Sequence, residues 1–149
     1  MSKRVLVPTV IGVVALGAVA AGGYAMASST TELAVENGSA HYAAPTAQRA
    51  GKLAYSAEVS DDSGVRSLKV IAWPKSSKLE PTAAELRYAG DAACSRTSDE
   101  TSRCAYTLTV SKREAADLAA GTWYVSVLAT AQDGDTEFVS RAATFEVTR

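Results

Sequence analysis

Between Gly121 and Asp135 the chain alternates between apolar and polar side chains. Trp123, Val125, Val127, Ala129 and Ala131 take one face, and Tyr124, Ser126, Leu128 and Thr130 take the other. This period of two predicts a β-strand. Leu128 on the second face predicts a central strand with partial cover on both sides. Gln132-Asp133-Gly134-Asp135 then supplies turn chemistry. The same alternation recurs upstream. In Lys52 to Val59, Leu53, Tyr55, Ala57 and Val59 oppose Lys52, Ala54, Ser56 and Glu58. The turn Ser60-Asp61-Asp62-Ser63-Gly64 follows. Val65 to Trp73 places Leu68, Val70 and Ala72 on one face and Ile71 and Trp73 on the other, and Pro74 ends that strand. In Cys104 to Val110, Cys104, Tyr106, Leu108 and Val110 point inward, while Ala105, Thr107 and Thr109 point outward.

The weaker stretches fill in around these. Glu32 to Glu36 and Ser39 to Ala43 read as two halves of an edge strand broken at Asn37-Gly38. A short strand runs from Arg87 towards Cys94, and a last strand lies near 137–147. Phe138 and Phe145 have opposite parity, so burying both needs a bulge near Ser140-Arg141. Glu80 to Leu86 reads as a helical turn with Pro81 at its first position. Ser111 and Glu114 form a capping box for a second turn through Leu118, stopped by Gly121. Seven strands at short spacing, without strand–helix alternation, predict an all-β fold over residues 32–149. The expectation is an Ig-like or fibronectin-III-like antiparallel β-sandwich with one or two short helical turns.

The N-terminal segment has a different pattern. Lys3 and Arg4 precede an apolar run, Val5 to Ala21, and Ala25-Met26-Ala27 forms a small-x-small site. That order predicts a signal helix in residues 1–27, cleaved after Ala27 with Ala25 and Ala27 as the recognised residues. Residues 28–31 then become a flexible start to the mature chain. The alternative keeps the segment as an uncleaved anchor, with Lys3 and Arg4 cytoplasmic and the domain facing outward. Both readings place the domain outside the cytoplasm, secreted or associated with the envelope.

Charge and cysteine content narrow the possibilities. The whole chain carries 15 basic and 16 acidic residues, and loss of Lys3 and Arg4 leaves 13 against 16, a net of −3. That balance opposes nucleic-acid binding and offers no polybasic patch for a membrane. Membrane contact is expected only through an uncleaved N-terminus. Cys94 and Cys104 are the two cysteines, and export predicts a disulfide between them, closing the polar loop Ser95 to Arg103. Two cysteines are too few for a structural zinc site, and the single His41 is distant in sequence.

Catalytic chemistry finds little to use. His41 lies in the weak first strand, and no serine stands in a nucleophile elbow. Asp61-Asp62 and Asp99-Glu100 are adjacent carboxylates in turns rather than a pair facing across a cleft. The sequence has no glycine-rich phosphate loop and no metalloprotease helix. No catalytic, cofactor-binding or metal residue is assigned. Trp73 and Tyr124 read either as core or as aromatics of a binding face. In an Ig-like topology the turns Ser60–Gly64 and Gln132–Thr136 share one end, which gathers Asp61, Asp62, Asp133 and Asp135. A hard cation such as Ca²⁺ takes about six to eight oxygens, which such loops can partly supply. Tight turns need Asp and Gly in any case, and the order of an EF-hand is absent.

Leu118 to Ala131 resembles the corner and sixth strand of bacterial Ig-like modules, which read G-T-Y-x-V-x-V-x-A. Trp123 stands here at the tyrosine position, so the hydroxyl that makes the corner hydrogen bond in those modules is missing. Ser60 to Val65 resembles their D-x-x-G turn. More broadly, VSDDSGVRSLKVIAWP (59–74), TSDETSRCAYTLTV (97–110) and GTWYVSVLATAQDGDTEF (121–138) resemble small secreted proteins of high-GC Gram-positive bacteria that carry a domain of unknown function. The resemblance implies export and a compact β-domain, and implies no activity and no site residues. The expected function is that of an exported, non-enzymatic module binding an extracellular protein or envelope component. The alternative is a secreted protease inhibitor presenting the Cys94–Cys104 loop, with Arg96 and Arg103 as its anchors.

Overall fold

The alternating stretches form eight strands and two short helices among the described residues of this computed structural model, 31–148. They are β1 (Ala34–Ala43), β2 (Gly51–Ser60), β3 (Val65–Pro74), α1 (Ala83–Leu86), β4 (Gly90–Asp91), β5 (Ala93–Arg96), β6 (Thr101–Val110), α2 (Lys112–Asp117), β7 (Gly121–Ala131) and β8 (Thr136–Val147). The expected signal helix of residues 1–27 and its cleavage residues Ala25 and Ala27 lie outside the described residues. One sheet has the order β1-β2-β6-β5 and the other β4-β3-β7-β8, with every pairing antiparallel. The chain changes sheet between β2 and β3, returns between β4 and β5, and changes again between β6 and β7, the crossover pattern of an Ig-like sandwich.

The stretch expected as one short strand is two, which makes eight strands rather than seven. Gly90 and Asp91 pair with Val70 and Lys69 in the second sheet, and an Asp91–Lys69 ion pair at 2.6 Å reinforces the register. Cys94 pairs with Cys104 in the first sheet. The chain must therefore cross between sheets at Ala92, whose N–H donates to the Leu68 carbonyl at 2.9 Å.

The helical starts are set by hydroxyl side chains. Ser111 caps α2 as expected, and the Glu114 carboxylate accepts from the Ser111 N–H at 2.7 Å. In α1, Thr82 is the cap and Ala83 the first helical residue, so Pro81 stands two positions before the place the sequence suggested. Thr82 wins because its hydroxyl accepts from the Glu85 N–H while Glu85 returns to the Thr82 N–H, and proline can do neither.

The inward faces build the core from Leu53, Tyr55, Ala57, Val59, Leu68, Val70, Cys104, Val125, Val127, Ala129, Phe145 and Val147. The second sheet is covered on its other side as well. Helix α1 packs against β3 and β7, and Leu86, Trp73 and Leu128 are all buried. A bulge in β8 lies at the expected place, but it leaves Phe138 opposite Leu128 on the outer face and Phe145 opposite Trp123 on the inner one. Pairing passes from Val125–Ala143 to Val127–Val139, so Ser140 to Ala142 face Ser126 alone. Ser126 accepts from the Trp73 indole N–H at 2.8 Å and donates to the freed Ser140 carbonyl at 2.6 Å. A second bulge breaks β1 at Asn37-Gly38 as expected. Gly38 is required there, because a Cβ would lie 2.7 Å from the Ala142 carbonyl oxygen.

Candidate functional site

The acidic turns do gather at one end. The carboxylates of Asp61, Asp133 and Asp135 each bring an oxygen within 4.8 Å of the others. Asp61 is buried in the turn after β2, and its carboxylate accepts from the Ser63 N–H at 2.9 Å and from the Ser63 hydroxyl. The same hydroxyl accepts from the Asp133 N–H at 3.1 Å, tying the two turns together. Asp62 stands outside the trio. Desolvation, followed by the charge and hydrogen bond of neighbouring Asp61, pushes its carboxyl above the usual carboxylate range, partly offset by the Ser63 N–H. Desolvation raises Glu137 as well, with Glu32 adding to it. The Asp61–Ser63–Asp133 link fastens the two turns of this pole to each other.

The disulfide joins Cys94 to Cys104 across directly opposed ladder positions. The residues between them form a hairpin, not a protruding loop. Arg96 and Arg103 both lie within the β5–β6 ladder. The turn is closed by Thr97 and Ser98 N–H groups donating to the Thr101 carbonyl, and Glu100 accepts from the Thr31 hydroxyl at 2.6 Å. His41 is exposed on β1, opposite Ala54. Trp73 is buried with its ring 4.9 Å from that of Tyr124, and the Arg141 guanidinium lies 4.7 Å over the Tyr124 ring. These aromatics belong to the packed outer side of the second sheet, so they form no free binding face.

The open site is elsewhere, at a flank with little signature in the sequence. An apolar cavity of about 320 Å³ lies between the two sheets. Tyr42, Val70, Tyr106, Leu108, Trp123 and Phe145 are among the residues that line it. Leu108, expected to point inward with Cys104, is 47% exposed. The reason is topological. Strand β5 covers β6 only at Ser102 to Ala105, and strand β4 covers β3 only at Lys69 and Val70. Beyond those positions no strand among the described residues lies on this flank, so the inward face of β6 meets the cavity. The visible signal in the sequence was the weakness of the stretch from Arg87 to Cys94, too short to line the whole of β6.

The two four-stranded sheets, their crossovers and the corner at Trp123 define the chain as an Ig-like sandwich domain. Residues 35–129 match a family of unknown function, DUF5707, and the chain belongs to that family. No curated protein matches the chain.

Proposed function

We propose that this protein is an exported, non-enzymatic binding module acting outside the cell or at its envelope, and that it holds a protein or envelope component there. The observation that carries this reading is the apolar cavity open at the sandwich flank, with Leu108 at 47% exposure beside it. Partly open apolar clefts are the usual seats of ligands, and a folded domain gains nothing from leaving one uncovered. The Cys94–Cys104 disulfide fits an oxidising compartment. The N-terminal pattern ending at Ala27 and the resemblance to secreted proteins of high-GC Gram-positive bacteria point the same way. No helix among the described residues is long and apolar enough to cross a membrane.

Two measurements test the reading. Intact-mass analysis of protein recovered from the producing culture should give Ser28 as the first residue. Full-length protein confined to the cytoplasm would overturn export. The natively processed protein, used as bait on envelope extract, should retain a partner that Leu108→Asp loses. Equal capture by both proteins would move the site away from the cavity.

A further inference from the structure

We infer that the cavity and the β6 edge beside it form a strand-addition site for an extended peptide segment of a partner protein, apolar at alternate positions. The inference rests on the binding reading above and gives the partner a chemistry.

Three observations converge on that occupant. Among the described residues, β6 pairs only with β2 from Tyr106 to Val110, and β3 pairs only with β7 from Ile71 to Pro74. Both edges face the same flank because the chain leaves the second sheet at Ala92. The backbone groups on the outer side of β6 here can be satisfied by another extended chain, and an alkyl ligand cannot satisfy them. Second, this edge lacks the usual protection. Tyr106-Thr107-Leu108-Thr109-Val110 contains no charge and no proline, and its pairing with β2 has no bulge. Third, the cavity lies beneath that edge. A strand added beside β6 would turn every second side chain between the sheets, as Tyr106, Leu108 and Val110 do, and the cavity has room for more than one aliphatic side chain.

The site also has a stop that sets register. A Cβ on Gly90 would lie 2.7 Å from the Tyr106 ring, so this ring sits directly against the crossover chain and closes one end. Above it, β5 is fixed to β6 by the Cys94–Cys104 disulfide. An incoming strand therefore extends from beside Tyr106 towards Val110, with polar residues outward and apolar residues in the cavity.

The test uses the natively processed protein and a phage-displayed random nonapeptide library. Enriched sequences should alternate apolar and polar residues. The synthetic form of the best one, followed by fluorescence anisotropy, should bind at least tenfold more weakly when its alternate amides are N-methylated. Ala72→Phe, which fills the cavity, should weaken binding by a similar factor, and Leu108→Asp supplies the same readout at a half-exposed position should Ala72→Phe fail to fold. Failure to enrich any alternating sequence overturns the inference, as does indifference to N-methylation. Two further outcomes also overturn it: light scattering showing a dimer abolished by Leu108→Asp, which assigns the edge to a second copy, or dodecanoate binding without peptide binding, which assigns the cavity to a hydrocarbon chain. An envelope partner retained equally by wild type and Ala72→Phe sinks strand addition while leaving a binding module. Capture by neither sinks the broader reading.

Discussion

Trp123 takes over a task that a tyrosine performs in related corners. Its indole N–H donates to the Ala119 carbonyl at 2.8 Å, bridging the turn before β7 without any hydroxyl. Trp123→Phe should keep the ring and lose the bond, costing about 1 kcal/mol in urea unfolding. Ser126 matters more, because it is both acceptor and donor in a buried place. Ser126→Ala leaves the Trp73 N–H and the Ser140 carbonyl unpaired, and should cost about 2–4 kcal/mol by the same measurement. Tyr55 gives a contrasting case: its buried hydroxyl has no hydrogen-bond partner among the described residues, and burial pushes the phenol up to about 12. Tyr55→Phe should therefore be nearly neutral or stabilising. The acidic pole predicts a pH dependence with a definite sign. Asp62 and Glu137 have carboxyls raised in the folded state, so the fold binds their protons more tightly than the unfolded chain does. Their contribution favours folding as pH falls from above the folded value to below the unfolded one. Glu114, lowered by the Ser111 N–H, acts the other way, and its contribution is lost as pH falls through its folded value. Asp62→Asn should raise the melting temperature at neutral pH and leave it unchanged in acid. An equal shift at both pH values would mean that charge is not the cause.

At the scale of elements, β5 shows how little holds an edge strand. All four of its residues are exposed, so it contributes almost no apolar burial of its own. Its attachment consists of the ladder to Ser102–Ala105 and the bond from exposed Cys94 to buried Cys104. Replacing both cysteines by alanine should lower stability by about 2–3 kcal/mol in the chain-entropy account and leave the sandwich folded. Amide exchange should then accelerate first in β5 and Ser102–Ala105, because those positions lose their covalent tether. A double variant as stable as the parent would mean that the bridge contributes nothing. The capping box of α2 was legible because a capping box is a local pattern of side chain to nearby backbone, and the Thr82–Glu85 box of α1, equally local, was passed over for Pro81. The misplacement of Pro81 was also local, since the Thr82–Glu85 capping box sets the cap two residues after the one that Pro81 at the first position implies.

At the scale of the molecule, both sheets share one core centred on β7. Val125 is fully buried, and β7 has buried residues on both faces. Val125→Asp would place a charge there without a partner and should abolish folding. Thr107→Asp, on the exposed outer side of β6, should leave far-ultraviolet circular dichroism and the cooperative melt intact. Similar melting of the two variants would contradict the shared core. The sequence by itself determined the strands, because a period of two leaves an alternating chain one way to bury its apolar face. It also determined the cysteine pair, because two cysteines leave each one partner within the chain, and it pointed to the place of the β8 bulge, although the two extra residues there leave Phe138 and Phe145 on opposite faces. Only the tertiary structure decided where the sandwich is left open. The split of one weak stretch into β4 and β5, the crossover at Ala92 and the cavity under Leu108 depend on which sheet each residue joins. That choice is made by contacts between residues far apart in the chain, such as Asp91 with Lys69 and Cys94 with Cys104, and no local pattern records them.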